Sequence, residues 1–504
     1  MSPKTPFIAL ILLLSISLNE GLRILLFFPI ASKSHSLLGH GVARNLLDAG
    51  HEVVHINAYP SENPNPNLKE INVGMVVEEM KRKMEKDDFK LQNLVGKHRN
   101  MADSLLLVFL AYELHKQLFT YKPVVDLLND PEEHFDAVIV EWFFSDVPAG
   151  MAPLFKCPLI WMWSSEPYWQ LLQLIDEIPN PAFTVDLFAD YQPPLTLLFN
   201  ILMYNKVQEL TPDRRGITMP SYSDAIYNGS MLLLNSHPSI GTPFRLPQNA
   251  KYIGGYHIDR NVIPLPKDLQ KLMDEAKDGV IYFSMGSNLR NADLSDEMKE
   301  ALFEMFGKLK QTVLWKFETD IKKVPPNVHL LKWAPQPSIL SHPNLKIFIT
   351  HGGQLSTTEA VHFGVPVIGI PVYGDQYINM KSVSKKGFGI TLELTDDLVE
   401  NLFPAINEIL VNSSYKEKAT KLSSWFHNRL RTPGEELVYW IEYTVATDGA
   451  PHLRSPALHV PFYQKMHLDI IAILTIAVTL LFKTVRRLYR MFKGKELDKK
   501  KKTE

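Results

Sequence analysis

Strand and helix patterns alternate along most of the chain. Arg23-Ile24-Leu25-Leu26-Phe27-Phe28 is apolar at successive positions and ends at Pro29, the mark of a strand buried on both faces. The polar run Ala31 to Ser36 predicts a loop. Leu37 to Ala49 has helical periodicity and stops at Gly50, and Glu52-Val53-Val54-His55-Ile56 predicts the next strand. Strand, loop, helix, glycine, strand opens a βαβ unit, whose usual outcome is a parallel, doubly wound sheet. Met75 to Leu128 reads as largely helical, and Phe135–Val140, Leu159–Met162 and Asn228–Asn235 as further strands. Lys251 to Lys267, with Gly254, Gly255, Pro264 and Pro266, reads as a linker. A second βαβ run begins at Val280–Ser284, turns at Met285-Gly286-Ser287 and enters a helix over Glu297–Leu309. Strands follow at Thr312–Phe317, Val328–Trp333, Lys346–Thr350 and Pro366–Ile370. The body is therefore α/β, with two Rossmann-like halves in tandem.

Both ends depart from this alternation. Lys4 precedes an apolar run from Phe7 to Leu18, the order of a secretory signal peptide over residues 1–20 and too short to span a bilayer well. Leu468 to Phe482 is apolar apart from Asp469 and two threonines and predicts one transmembrane helix, set at 467–483. Tyr463 lies on one side, and Lys483, Arg486, Arg487 and Arg490 on the other. Positive flanks stay cytosolic, so the tail 484–504 is predicted to face the cytosol and the body the lumen. The terminal Lys501-Lys502-Thr503-Glu504 resembles a dilysine retrieval signal for the endoplasmic reticulum. The sequons Asn228-Gly229-Ser230 and Asn412-Ser413-Ser414 are compatible with a lumenal body. Between the ends, the pattern divides the body into an N-terminal half (21–250), the linker (251–267), a C-terminal half (268–450) and a juxtamembrane segment (451–466).

Composition narrows the classes. The chain has 504 residues, 45 % of them hydrophobic, enough for large cores, and a formal net charge of −2, which points to no nucleic-acid partner. Its single cysteine, Cys157, excludes an intrachain disulfide and reads as a buried, inert thiol. No His/Cys/Asp cluster has the spacing of a metal site, and neither a metal nor another cofactor is expected.

The chemistry concentrates in Phe348 to Gln376, FITHGGQLSTTEAVHFGVPVIGIPVYGDQ. A strand ends at Thr350, and His351-Gly352-Gly353 forms a turn that lets a ligand approach the backbone. A helix then opens around Ser356-Thr357-Thr358-Glu359. Such a helix start binds phosphate through free N–H groups and the helix dipole. Ser356 and Glu359 equally fit a capping box that only satisfies the backbone. Thr350, His351, Gly353, Ser356, Glu359, Pro366, Pro371, Asp375 and Gln376 are spaced as in the donor signature of the UDP-glycosyltransferase family, whose vertebrate members are the UDP-glucuronosyltransferases. The resemblance extends over nearly the whole chain, and Gly449 to Tyr463, GAPHLRSPALHVPFY, looks like the juxtamembrane segment of arthropod members.

The resemblance implies a GT-B fold, with the two halves facing across a cleft, and a role for each matching position. Trp333 would stack on uracil, with Ala334 beside it and Gln336 on the nucleoside. Ser287 and His351 would hold the diphosphate with Gly353 and Ser356. Glu359 would take the ribose hydroxyls, and Asp375 and Gln376 the sugar. Leu355 departs from the asparagine that many relatives carry. His35, matching at Ser34-His35, would be the base that takes the acceptor proton as oxygen displaces UDP, inverting the anomeric carbon. Its carboxylate partner is Glu141, where the family usually has aspartate, or Asp146. Phe143, Phe144, Trp161, Trp163, Tyr168 and Trp169 suggest an apolar acceptor pocket or an ordinary core. The donor expected of an arthropod-type member is UDP-glucose, with UDP-glucuronic acid as the alternative, and the acceptors are small lipophiles conjugated for detoxification. The rivals are a membrane-lipid glycosyltransferase and a non-catalytic lumenal lipophile-binding protein. Self-association is left open.

Overall fold

The computed structural model describes residues 21–501 apart from 31, 62, 64, 85–90, 97–101, 168, 176–218, 242–244, 260, 288 and 457–459. The expected signal peptide and the last three residues of the retrieval-like tail lie outside the described residues. The chain forms two compact units, Met1–Leu453 and Arg454–Glu504.

The first unit holds two all-parallel sheets. Strands β1 (Arg23–Phe28), β2 (Glu52–Asn57), β3 (Leu68–Asn72), β4 (Ala137–Glu141), β5 (Leu159–Trp163), β6 (Gly229–Leu234) and β7 (Ala250–Tyr252) pair in the order β3-β2-β1-β4-β5-β6-β7. Strands β8 (Val280–Ser284), β9 (Thr312–Lys316), β10 (Val328–Leu331), β11 (Leu345–Thr350), β12 (Val367–Gly369) and β13 (Gly389–Thr391) pair in the order β10-β9-β8-β11-β12-β13. Helices cover both faces of each sheet, which is why β1, β4, β5, β6 and β8 are apolar at consecutive positions. In both sheets the strand order reverses beside the first strand, between β1 and β4 and between β8 and β11. Loops at the carboxyl ends of those strands frame a crevice, the usual ligand position in doubly wound sheets.

Six helices matter below: α1 (Lys33–Asp48), α2 (Gln336–Leu340), α3 (Gln354–Phe363), α4 (Gln376–Lys386), α5 (Pro433–Ala446) and α6 (Leu468–Lys501). Helix α1 starts at Lys33 rather than Leu37, so His35 lies in a first helical turn and not in a loop. The run Ser32 to Ser36 has no apolar periodicity to announce that turn. Strands β3, β7 and β13 carry no apolar run in the sequence, because each is short and only partly buried. The expected linker thus begins inside β7, at Lys251. Helix α5 starts with Thr432 and Glu435 in a capping box and Pro433 at its first turn. It falls within the expected C-terminal half by sequence, yet Leu437 and Ile441 pack with Ile24, Leu26, Leu38 and Val42 of the N-terminal half. In the second unit, α6 runs on past residue 483. Its stretch Leu468–Lys493 is long and apolar enough to cross a membrane, and its apolar window has no buried residue. This is the one such helix among the described residues.

Candidate active site

The N-terminal sheet contributes a His–carboxylate pair. Glu141 is the last residue of β4 and His35 follows β1, so the two flank the point where the strand order reverses. His35 Nδ1 lies 2.5 Å from Glu141 Oε1, with the carboxylate side chain 1 % exposed and the imidazole 19 %. Burial disfavours a charged ring, but the Glu141 charge and hydrogen bond, together with Asp375, outweigh it and raise the His35 pKa above its ordinary value. Because Nδ1 faces Glu141, Nε2 is the nitrogen left for a substrate proton. Asp146, the alternative partner, does not meet His35. It accepts from Trp142 Nε1 at 2.5 Å and Tyr222 Oη at 2.9 Å, and so ties the loop after β4 to the helix at Tyr222–Ile226.

Of the six aromatics, Phe143 stands edge-on to His35, with ring centroids 5.5 Å apart. Phe144, Trp161 and Trp163 are buried in the N-terminal core. Tyr168 and the side chain of Trp169 lie outside the described residues.

The C-terminal sheet contributes the turn after β8 and the turn and helix after β11. The His351 ring is clamped between two glycines. A Cβ on Gly286 would lie 2.5 Å from its Cε1, and one on Gly353 2.6 Å from its Nε2. No side chain fits there. Gly286 also takes φ +81°, which favours glycine. Ser287 follows it, half-buried in the same turn. Burial, with the charge of Lys316, pulls the His351 pKa down to about 4, so the ring is neutral near pH 7. His351 Nδ1 faces the Thr350 hydroxyl at 3.3 Å, which fits a proton on Nε2 and makes that atom a donor.

Helix α3 begins after Gly353 with no side-chain cap, so the capping box foreseen for Ser356 and Glu359 does not form. Both side chains are buried and turn to Gln336 at the start of α2. Gln336 Nε2 donates to Glu359 Oε2 at 2.6 Å and to Ser356 Oγ at 3.2 Å, while Tyr282 Oη donates to its oxygen at 3.3 Å. Trp333 is 53 % exposed, unusually open for a tryptophan, whereas its neighbour Ala334 is buried in the C-terminal core. Lys33 of α1 sits 4.7 Å from the Trp333 ring centroid, so the two halves approach each other at this ring. Asp375, just before α4, accepts from Asn379 Nδ2 at 2.8 Å. Burial raises its pKa against that hydrogen bond and the nearby His35. Gln376 commits its oxygen to the backbone N–H groups of Val372 and Tyr373, at 2.8 and 3.1 Å, which leaves its amide N–H₂ for a ligand.

Two further residues were not singled out by sequence. Lys316 ends β9, 8 % exposed, and its ammonium donates to the Gly286 carbonyl beside His351. It read only as part of a strand, although a lysine closing a buried strand is itself a signal. His257, in the predicted linker, places Nε2 3.6 Å from Glu359 Oε1, and neither of its ring nitrogens has a hydrogen-bond partner.

Three comparisons bear on this arrangement. The family model described as "UDP-glucoronosyl and UDP-glucosyl transferase" matches residues 194–503. UDP-glucosyltransferase 2 of Dactylopius coccus is 32 % identical, over 91 % of each chain. UDP-glucuronosyltransferase 2B15 of Rattus norvegicus is 36 % identical over 53 % of this chain and 51 % of its own. Among solved structures, the spinosyn forosaminyltransferase SpnP superposes with a TM-score of 0.58 at 16 % identity, over 85 % of this chain and all of its own. That likeness bears on the fold alone.

Proposed function

This chain belongs to the UDP-glucoronosyl and UDP-glucosyl transferase family, and from that membership we propose that it transfers glucose from UDP-glucose to hydroxyl groups of small lipophilic molecules. Glycosyl transfer from a UDP-sugar is the family's activity, and the two sheets have the GT-B arrangement. The choice of glucose is supported by the name and full-length similarity of the Dactylopius coccus relative.

The observation that carries the mechanism is the contact of 2.5 Å between His35 Nδ1 and the buried Glu141 carboxylate. His35, bonded to Glu141 in one half, lies near enough to Asp375 in the other that each shifts the other's pKa. In the proposed reaction His35 Nε2 takes the acceptor proton. The acceptor oxygen bonds to the anomeric carbon as the carbon–oxygen bond to UDP breaks, and the leaving diphosphate keeps the electron pair. One displacement inverts the anomeric centre. Glu141 does not touch substrate; it orients the ring and balances the imidazolium charge. Uracil stacks on Trp333, next to the Ala334 backbone, with Gln336 at the nucleoside edge. Glu359 accepts from the ribose hydroxyls. The diphosphate meets Ser287, the His351 Nε2–H and the start of α3 at Gly353 to Ser356, with the Lys316 charge close by. Asp375 and the Gln376 amide bind the sugar hydroxyls. No step as written requires a metal ion.

Anchoring through Leu468–Lys493 with Lys483, Arg486, Arg487 and Arg490 at one end supports a single-pass protein of the endoplasmic reticulum membrane. The body would be lumenal and the tail cytosolic.

Two results are expected. UDP release by the purified chain with a phenolic acceptor should be faster with UDP-glucose than with UDP-glucuronic acid. The reverse order would reassign the donor, and release only with ceramide-containing vesicles would reassign the acceptor. Trp333→Ala should weaken UDP binding by about 1–3 kcal/mol, roughly 5- to 150-fold. The unfolding temperature should barely change, because the ring is half exposed.

A further inference from the structure

Away from the transfer site, three consecutive elements of the N-terminal half bring metal-ligating side chains together. His40 of α1, His55 of β2 and Glu70 of β3 each offer one ligand atom, all within 4.8 Å of one another. Glu70 Oε1 lies 3.8 Å from His55 Nδ1 and 4.0 Å from His40 Nδ1. Tetrahedral zinc with bonds of 2.0–2.1 Å separates its ligands by about 3.4 Å, so the two Glu70 separations exceed that spacing by roughly half an ångström and the His40–His55 separation by at most about 1.4 Å.

The outer bonds of these groups suit ligation. His40 Nε2 lies 2.8 Å from the Tyr59 carbonyl, which fixes its proton there and turns the Nδ1 lone pair toward Glu70. Glu70 Oε2 accepts from the Ser61 backbone N–H at 2.9 Å, leaving Oε1 for the cluster. Metal-bound imidazoles and carboxylates are oriented by bonds of this kind. His55 Nδ1 faces the Asn57 amide Nδ2 at 3.1 Å, which marks Nδ1 as the ring's acceptor nitrogen.

Two buried atoms here are left unsatisfied, His55 Nε2, which has no outer bond, and Asn57 Oδ1. The Asn57 amide Nδ2 sits between Glu70 Oε1 at 2.7 Å and His55 Nδ1 at 3.1 Å. That bridge strands the buried Asn57 Oδ1 without a partner. A buried acceptor without a partner is destabilising. Turning the amide over would bring Oδ1 into the cluster as a fourth, oxygen ligand.

We propose that His40, His55 and Glu70 form a binding site for a divalent transition-metal ion of the zinc class, with Asn57 or water completing the shell. The ion would clamp α1, which carries His35, to β2 and β3. It would act on stability, outside the transfer chemistry.

The test uses the full chain in detergent, stripped with chelator and desalted, then titrated with Zn²⁺ alone. The expected result is one equivalent bound per chain at micromolar concentration, with a rise in unfolding temperature. Co²⁺ in its place should give the visible bands of a four-coordinate ion. His40→Ala and Glu70→Gln alter partly exposed side chains. Each should weaken Zn²⁺ binding at least tenfold, the lower range for disturbed metal shells. Each should also abolish the Zn²⁺-dependent thermal shift while retaining the metal-free unfolding temperature and UDP-sugar turnover. No Zn²⁺ bound by the wild type below millimolar concentration, or equal binding by both variants, would overturn the site and leave a hydrogen-bonded cluster only.

Discussion

His35→Ala is expected to lower turnover about a thousandfold, within the 10²–10⁴ typical of a positioned general base, and to leave UDP affinity unchanged. The acceptor hydroxyl must lose its proton as it attacks, and its own pKa is far above neutrality. Nε2 is the atom suited to take that proton, because Nδ1 is held 2.5 Å from Glu141. None of the groups assigned to uracil, ribose or diphosphate contacts His35, so donor binding should survive the substitution. Initial rates with saturating acceptor, alongside calorimetric binding of UDP, separate the two effects. Turnover near the wild-type value with UDP binding intact would reject His35 as the base.

Glu141→Gln is expected to lower maximal turnover about a hundredfold and to move the acid limb of the pH profile to lower pH. The signs run in opposite directions. The base acts deprotonated, so the rate rises with pH through the His35 pKa. Glu141 raises that pKa against the effect of burial. Removing its charge lets the ring lose its proton at lower pH, so the limb moves to acid. The same loss leaves the imidazolium of the transition state without its counter-charge, so the plateau falls. A fall in turnover with no movement of the limb would mean that Glu141 acts only in packing. Asp146→Asn is the contrasting variant. Asp146 bonds Trp142 and Tyr222, so the change should lower the unfolding temperature and leave the pH profile in place.

How far the molecule could be read from sequence follows from where each signal resides. Strands β1, β8 and β11 are buried on both faces and announce themselves as apolar runs; Val280–Ser284 was delimited to the residue. Strand β3, Leu-Lys-Glu-Ile-Asn, is a half-exposed edge and carries no such run. The donor region was legible because its residues fall in one continuous stretch with fixed gaps. The His35 partner was not, because Glu141 ends β4 and Asp146 lies in the loop just after it. Only the strand end decides that Glu141 faces His35 while Asp146 turns to Tyr222. Ser356 and Glu359 had equal claims as a capping pair until the reach of Gln336 from α2 showed what they bond. Lys316 and the trio His40, His55 and Glu70 have no local spacing. They meet through strand register and helix packing, which a linear motif does not encode.

A calorimetric titration of UDP into the purified full chain tests the central claim most directly. That claim is that the turns after β8 and β11, with Trp333 and Gln336, hold a uridine diphosphate opposite His35. Saturable binding of one UDP per chain is predicted, weakened by Trp333→Ala and untouched by His35→Ala. No saturable binding up to millimolar UDP, from a chain shown to be folded by its cooperative thermal transition, would contradict the account.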